Sequence, residues 1–206
     1  VLQNLESFGV QVDTITNDPA ELIKERYIDS RSKCQLLRVD KGTEVFEIHH
    51  SNLFLTDLTG YDAIVFSDYD KGLITHALAK DICNSFQGFI FVDTKKCDLT
   101  CFPKAFCKIN EFEAEEALAL SCGTEMIVTK GRDGAYWNEM HFPAPDVEVY
   151  DVSGAGDVFL ATFAVSVTAG DPIETSIERA VMMASRSVKH FGTYKITEDD
   201  INEICS

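Results

Sequence analysis

The segment 151–170, DVSGAGDVFLATFAVSVTAG, places very small residues directly before an acid and a long apolar run. Without large side chains, the backbone N–H groups of Gly154, Ala155 and Gly156 can approach a ligand closely, at the positive end of a predicted helix. An acid in the first helical turn is stabilised as a carboxylate, so Asp157 is a proton acceptor beside an anion site. Phosphoryl transfer to an alcohol uses both features, because the carboxylate takes the hydroxyl proton and the amides offset charge on the transferred group.

The same four residues also fit an ordinary tight turn followed by a helix with an acid in its first turn. The segment is not a Walker A loop, since the GxxxxGK[ST] spacing is absent. It is not a GxGxxG loop either, because Phe159 stands where the third glycine would be. The turn alone therefore leaves a phosphoryl-transfer site and a plain structural turn as alternatives, and the surrounding elements have to decide between them.

Polar residues end each of the buried strands predicted from residue 60 onward. Asp68, Asp93, Asn110 and Lys130 each come directly after a short apolar run, and helical patterns separate these runs. Such alternation predicts an α/β fold in which a mostly parallel sheet is covered by helices on both faces. The carboxyl ends of parallel strands share one edge, where ligands bind. Each residue alone also fits a helix cap or a turn, but four together favour a site at this edge.

Local patterns predict several further elements. The opening VLQNLESFG is typical of a helix that ends at Gly9, and alternation over 10–18 predicts a strand. Helical spacing extends over 111–120, and the pattern VEVY at 147–150 predicts another strand. Asp171 is predicted to cap the last long helix.

Two adjacent strand patterns, ELIKERYIDS and KCQLLRVD, predict a β-hairpin with a short polar turn. This hairpin is rich in basic residues although the chain is strongly acidic. A solvated edge hairpin and a surface that faces an anionic ligand both account for this composition. The basic residues are Lys24, Arg26, Arg31, Lys33 and Arg38.

The 206-residue chain has 18 Lys and Arg residues against 34 Asp and Glu residues, which gives a formal net charge of −16. That charge repels nucleic acid and anionic membranes, so neither is an expected partner. The apolar runs are shorter than a membrane span and no signal-peptide pattern is present, so a cytoplasmic location is expected. Three of the seven cysteines, Cys97, Cys101 and Cys107, form a group whose spacing favours reduced thiols over a zinc site.

Several segments, in order along the chain, resemble the ribokinase-like carbohydrate kinases of the pfkB family. DVSGAGDVFLATF resembles their signature D-[TV]-[TS]-G-A-G-D, and KINEFEAEE resembles their N-x-x-E motif. VFSDYDKGLI and FVDTKK resemble the SDYxKG and DPK stretches of the heptose 7-phosphate kinases in that family. VTKGRDGA resembles the strand and turn beneath the nucleotide, and ERYIDSRSKCQLLRVD resembles the lid hairpin. The resemblance covers nearly the whole chain and implies a ribokinase-like three-layer α/β/α fold with a partial β lid.

The resemblance implies ATP-dependent phosphoryl transfer to a hydroxyl of a sugar or sugar phosphate, with Asp157 as general base and the amides of Gly154, Ala155 and Gly156 as anion hole. It also implies a possible homodimer through the lid. Asn110 and Glu113 would hold Mg²⁺ through water, and Asp151 and Ser153 would bind a monovalent cation such as K⁺. The nucleotide would contact Asp93, Lys95, Asn110, Lys130, Gly131 and Gly134, and the basic residues that could meet a sugar phosphate are Arg26, Arg31, Arg38 and Lys71.

The sequence departs from the family pattern in three places. It begins at Val1 without the portion in which the family carries its Gly-Gly substrate motif, and the stretch after Asn110 is shorter than usual. Thr94 replaces the proline of DPK, and Lys130 replaces a residue that is usually uncharged. Residues 1–206 are therefore interpreted as a ribokinase-like domain lacking that N-terminal segment, with a lid hairpin at approximately 10–40. A sugar kinase and a catalytically impaired nucleotide-binding remnant are the two functional hypotheses.

Overall fold

A computed structural model of the chain confirms the predicted hairpin. Strands β1 (Ile23–Ile28) and β2 (Gln35–Lys41) pair antiparallel. Most of the turn between them lies outside the described residues. The structure describes residues 1–16, 23–29, 31, 35–41 and 58–205.

A mostly parallel six-stranded sheet forms the centre of the fold. The remaining strands are β3 (Ala63–Asp68), β4 (Phe89–Thr94), β5 (Asp98–Leu99), β6 (Phe106–Asn110), β7 (Ala119–Leu120), β8 (Glu125–Thr129), β9 (Ala135–Trp137) and β10 (Met140–Phe142). The order across the sheet is β10-β9-β8-β6-β4-β3, and β5 pairs with β7 outside it. Strands β3, β4, β6 and β8 are parallel, whereas β9 and β10 are antiparallel additions at one edge.

Helices cover both faces of this sheet, because successive strand residues point to opposite faces. The helices are α1 (Leu2–Ser7), α2 (His76–Ser85), α3 (Glu111–Glu116), α4 (Ala155–Thr168), α5 (Ile173–Ser187) and α6 (Glu198–Ile204). On β4, Ile90 and Val92 pack on the face that α2 covers, whereas Phe91 packs with α4 and α5. The three-layer α/β/α prediction is confirmed. Among the described helices, none combines the length and apolar character that crossing a membrane needs.

Helix α4 is buried on almost every side, as its apolar sequence predicts. Phe163 packs edge-on against two strand residues, Phe91 and Phe106, with ring centroids 5.6 and 5.5 Å away. Residues on its other side pack with α5, including the fully buried Ile177. Interiors are close-packed, so a helix enclosed in this way holds its first turn in a fixed position relative to the sheet.

Four local predictions are wrong. The described residues 10–16 and 147–150 form no strand. The helix predicted over 111–120 ends at Glu116, because the chain becomes extended and Leu120 joins a short parallel strand pair. Asp171 does not cap α5, because its carboxylate pairs with Arg179 instead.

The described cysteines are free thiols, and no disulfide forms among them. Cys83, Cys101 and Cys107 are buried in the same core, where burial raises the pKa of Cys83 to about 12 and that of Cys101 to about 11. No group of three or more His, Cys, Asp or Glu side chains that could hold a metal ion occurs in the described ranges.

Asp200 ties α6 to the loop that precedes it. Its buried carboxylate accepts hydrogen bonds from the Tyr194 hydroxyl at 2.6 Å and from the Thr197 hydroxyl and amide at 2.7 and 2.9 Å. Arg186 of α5 completes the network, with its Nε 3.0 Å from Asp200 Oδ1. These contacts fix the loop around Tyr194, which lies beside the turn at Gly154.

Replacing Asp200 with Asn is expected to lower the free energy of unfolding at pH 7 by about 1–3 kcal/mol, because a buried network loses its charge. Burial raises the pKa of Asp200, but the hydrogen bonds from Tyr194 and Thr197 and the charge of Arg186 together hold the pKa below its ordinary value. A depressed folded pKa gives stability that is fully present at pH values well above the ordinary pKa of an Asp carboxyl group and is lost as the pH falls through the folded pKa.

Urea denaturation at pH 7 and at pH 3 measures this effect. The neighbouring, exposed Asp199 gives the matched control Asp199→Asn, which should be close to neutral. Equal losses for the two variants at pH 7, or a difference that persists unchanged in acid, would contradict the assignment.

Candidate active site

The turn Ser153–Gly156 is shaped by a glycine that no other residue replaces easily. Gly154 is the N-cap of α4 and has φ of 82°, in the left-handed region that favours glycine. A Cβ at this position would also lie 3.1 Å from the methyl group of Thr193. The sequence GAG therefore bends the chain sharply into α4 and brings the Thr193 loop against the turn.

The first turn of α4 leaves amides for a ligand. The amide of Ala155 donates to the carbonyl of Val152 at 3.3 Å, so it is partly used by the turn itself. Within the described part of the chain, the amides of Gly156 and Asp157 have no backbone acceptor, as expected at a helix N-terminus. Of the amides in this turn, those of Gly156 and Asp157 are therefore the ones that could donate to a ligand.

Asp157 projects from the same turn and is 25% exposed at its side chain. Its Oδ2 lies 3.9 Å from the backbone nitrogen of Val1, where α1 packs against α4. Directly behind it, Val158, Phe159 and Leu160 are buried. The carboxylate is therefore accessible but carried by a rigid helix, which suits a group that must meet a substrate hydroxyl.

A buried ion pair lies directly beneath this turn. Lys108 of β6 and Asp93 of β4 approach to 2.6 Å, with side chains that are 7% and 18% exposed. A Cβ on Gly156 would lie 2.8 Å from Lys108 Nζ and 3.9 Å from Asp93 Oδ2. The ammonium group thus lies close to the first turn of α4, and its low-dielectric setting strengthens its field.

Asn110 and Glu113 form a capping box at the start of α3. Asn110 Oδ1 accepts the Glu113 amide at 2.9 Å, and Glu113 Oε2 accepts the Asn110 amide at 2.8 Å. The helix-cap interpretation of Asn110 is therefore correct. Glu113 Oε1 forms an ion pair with Lys95, which follows β4. Carboxylate and amide oxygens are ligands that Mg²⁺ takes, and it keeps several of its waters, so Asn110 and Glu113 fit a magnesium ion bound through water.

A second buried ion pair joins the ends of β3 and β4. Lys96 Nζ lies 3.1 Å from Asp68 Oδ2 and 2.5 Å from Asp70 Oδ1. The Thr94 hydroxyl donates to Asp68 Oδ2 at 2.9 Å. Thr94, which replaces the proline of DPK, therefore has a structural role. The network fastens the loop that carries Lys71 to the sheet edge.

Lys130, Gly131 and Gly134 lie at the end of β8. Lys130 precedes a single 3₁₀ turn over Gly131–Asp133, and its amide donates to the Gly134 carbonyl at 2.8 Å. Its exposed ammonium lies 4.8 Å from the centre of the Tyr136 ring. The glycine turn thus lies at the carboxyl end of β8, and the Lys130 ammonium lies over the ring of Tyr136 in the next strand.

Asp151 links the turn before α4 to the loop after α5. Its Oδ1 accepts the Ser153 amide at 2.8 Å and its Oδ2 accepts the Gly192 amide at 2.9 Å. These contacts give Asp151 a structural role, because they join the turn before α4 to the loop after α5.

Comparison with known proteins identifies the family. Residues 104–200, which include Lys108, Asn110 and Asp157, match the pfkB family of carbohydrate kinases. The chain carries a pfkB-family carbohydrate kinase domain. The bifunctional protein HldE of Sulfurimonas denitrificans is 28% identical over 234 residues, covering 98% of this chain and 49% of that protein. HldE of Rhodospirillum rubrum is 30% identical over 199 residues, covering 81% and 40%.

The chain spans about half the length of the curated relatives that it matches. Solved structures support the fold. Ribokinase of Thermotoga maritima superposes with a TM-score of 0.65 at 17% identity, over 88% of this chain and 68% of that one. Phosphofructokinase-2 of Escherichia coli in complex with potassium gives 0.71 at 15% identity, over 88% and 69%.

The structure brings most of the predicted site residues to one sheet edge, whereas the four predicted acceptor-binding residues lie on the hairpin and on the loop after β3. In the hairpin, the backbones of Arg26 and Arg38 pair directly, and Arg31 is exposed in the turn. Lys71 is exposed on the loop after β3. The side chains of Arg26 and Arg38 lie outside the described residues, so the basic surface predicted on the lid remains a prediction. Sequence reasoning missed Lys108 and Lys96.

Proposed function

We propose that this pfkB domain catalyses ATP-dependent phosphoryl transfer to a hydroxyl group of a sugar or sugar phosphate. The observation that carries the proposal is the first turn of α4, where Asp157 and two amides lie directly above the Asp93–Lys108 pair. A carboxylate beside unpaired amides and a buried ammonium can accept a proton and stabilise an anion at one place. Phosphoryl transfer to an alcohol requires this combination.

In this proposal Asp157 takes the proton of the acceptor hydroxyl. The hydroxyl oxygen forms its bond to the γ-phosphorus of ATP while the bond from that phosphorus to the β–γ bridging oxygen breaks, and ADP leaves. The amides of Gly156 and Asp157 donate to the transferred group, and the Lys108 ammonium stabilises its charge from below. Preorganised donors of this kind act without reorganising at the moment of reaction.

Asn110 and Glu113 would hold Mg²⁺ through water, and a bound Mg²⁺ would neutralise charge on the nucleotide phosphates. Asp93 would act mainly by holding Lys108. Lys95, Lys130, Gly131 and Gly134 would border the nucleotide phosphates. Asp151 and Ser153 would lie at a monovalent cation site such as one for K⁺.

The acceptor in this proposal is a heptose 7-phosphate or a similar sugar phosphate. The resemblance to heptose 7-phosphate kinases and the match to HldE proteins support this choice. A sugar phosphate also explains basic residues in a chain with a net charge of −16. A sugar phosphate of this kind is a substrate expected in the cytoplasm. The apolar side chains exposed on the hairpin strands, such as Leu36 and Leu37, would be covered in a homodimer.

An acceptor panel tests the proposal. The chain is mixed with ATP and Mg²⁺ and with neutral sugars, hexose phosphates and heptose 7-phosphates, and ADP formation is measured. The proposal expects ADP formation that depends on one class of acceptor. Binding of ATP without acceptor-dependent ADP would instead identify a nucleotide-binding remnant.

Arg31→Ala and Lys71→Ala are each expected to raise the KM for the sugar phosphate about tenfold or more with little change in kcat, because each removes a charge that binds the acceptor phosphate. Steady-state kinetics with varied acceptor and saturating ATP measures the effect. Lys80→Ala, on the exposed face of α2, is the control and should change neither constant. An unchanged KM in both variants would remove these residues from the acceptor site.

A further inference from the structure

Three lysines lie close together at the sheet edge, but they differ in how freely they can move. The side chains of Lys96 and Lys108 are 3% and 7% exposed, and each is paired with at least one carboxylate. The side chain of Lys95 is 45% exposed although it pairs with Glu113. Exposed ion pairs are weak and easily exchanged, whereas a buried ammonium cannot leave its partner without a large penalty. Lys95 is therefore the lysine of this group that can change partners.

The two ends of the Lys95–Glu113 contact are anchored differently. Glu113 is fixed, since its Oε2 accepts the Asn110 amide at 2.8 Å and its side chain is 14% exposed. The backbone of Lys95 is also fixed, because its amide donates to the Asp68 carbonyl at 3.1 Å. Only the flexible four-carbon stem and the ammonium group remain free. A change of partner thus moves one side chain and leaves the helix and the strand in place.

Lys95 carries a full positive charge in this contact. A lysine ammonium is charged at neutral pH, and the carboxylate of Glu113 beside it favours that charged form. The Lys95 ammonium also interacts electrostatically with Asp93, the partner of Lys108, so it lies near the proposed floor of the anion hole as well as beside Glu113. An ammonium at this position can reach either a carboxylate or an anionic ligand above the floor.

We propose that Lys95 and a divalent metal ion compete for Glu113, so that metal binding releases the lysine toward the nucleotide phosphates. This exchange rests on the proposed kinase function and describes how the same site is loaded. Before loading, the ammonium of Lys95 neutralises Glu113. A divalent cation carries twice the charge and prefers carboxylate oxygens, so it displaces the ammonium. The released lysine then offers a charge-assisted donor to phosphate oxygens.

The exchange predicts opposite effects of one substitution on two ligands. Lys95→Met removes the competitor of the metal ion, so binding of Mn²⁺ to the nucleotide-free chain should become about threefold tighter. The same variant loses a donor for phosphate, so binding of ATP in EDTA should become about threefold to tenfold weaker. Electron paramagnetic resonance measures free Mn²⁺, and calorimetry measures ATP binding.

Two further variants separate this exchange from a merely structural role. Glu113→Gln should weaken Mn²⁺ binding and leave binding of ATP in EDTA unchanged or tighter, because it frees Lys95. Lys80→Met, an exposed lysine on α2, should change neither ligand. A structural role for Lys95 would weaken both ligands together.

Weaker or unchanged Mn²⁺ binding in Lys95→Met overturns the exchange, and so does the absence of Mn²⁺ binding to the wild-type chain. These readouts involve no acceptor. A chain that shows the exchange but forms no ADP with any acceptor would refute the kinase proposal alone. A chain that forms ADP without the opposite effects would refute the exchange alone.

Discussion

Asp157→Asn is expected to lower acceptor-dependent ADP formation by about 10²- to 10⁴-fold, because an amide has nearly the shape of a carboxylate but cannot accept the hydroxyl proton. The dissociation constant for ATP should change by less than about threefold, since the general base acts on the acceptor and not on the nucleotide. Stopped assays for ADP and calorimetry for ATP measure the two quantities on the same preparations. The rigid packing of α4 keeps the turn in place, so the loss should appear in kcat.

Asp146→Asn is the matched control, because Asp146 is exposed and lies on the segment that leads to the same turn. This variant should retain the wild-type rate. Two results would exclude Asp157 as the base. One is a rate in Asp157→Asn within about threefold of the wild type. The other is a parallel loss of ATP binding and of turnover, which would indicate a damaged turn instead of a lost proton acceptor.

Lys108→Met is expected to have the largest combined effect on stability and turnover. Removing the ammonium leaves Asp93 as an uncompensated charge under the turn at Gly156, and we expect a loss of about 2–4 kcal/mol in the free energy of unfolding. Turnover should fall by about 10²-fold or more, because the anion hole loses the charge beneath it. Urea denaturation and the ADP assay measure the two effects separately.

The double variant Lys108→Met with Asp93→Asn distinguishes the two roles of the pair. Without either charge, the buried site is neutral, so most of the lost stability should return. Turnover should remain low, because the ammonium is still absent. If turnover recovers together with stability, Lys108 has only a structural role and is not part of the anion hole.

Residues whose roles depend on nearby chain were predictable from the sequence. The small-residue turn and its acid lie within the five consecutive residues 153–157. The backbone geometry of this segment follows from the conformational freedom of glycine and from the unpaired amides at the start of a helix. Asn110 and Glu113 are three residues apart, the spacing of a capping box. The short apolar runs predicted the parallel strands for a similar reason, since burial on both faces is visible in one segment.

Residues whose roles depend on strand order were not predictable. Lys108 lies in the buried strand β6 and finds its carboxylate on β4, a neighbour that only the strand order reveals. A lysine within an apolar run was the available signal, because a buried charge requires a partner. Lys96 was missed for the same reason, because its partner Asp68 precedes it by 28 residues in the sequence.

The strand predicted at 147–150 was wrong for a related reason. Alternation of apolar and polar residues indicates a strand only where a neighbouring strand can accept its hydrogen bonds. The segment instead leads to Tyr150 and Asp151, whose amides donate to the carbonyl of Val188 at the end of α5. Tertiary contacts thus replaced the sheet pairing that the pattern suggested.

Transfer of a labelled γ-phosphoryl group from ATP tests directly whether the Gly154–Asp157 turn is a phosphoryl-transfer centre. ATP labelled at the γ-phosphate is incubated with Mg²⁺, the sugar phosphate panel and either the wild-type chain or Asp157→Asn, and label in the sugar product is measured by chromatography. The wild-type chain should transfer label to an acceptor, and the variant should transfer at least about 10²-fold less. Absence of labelled sugar with every acceptor, or equal labelling by the two proteins, would contradict the assignment of the Gly154–Asp157 turn as a phosphoryl-transfer centre.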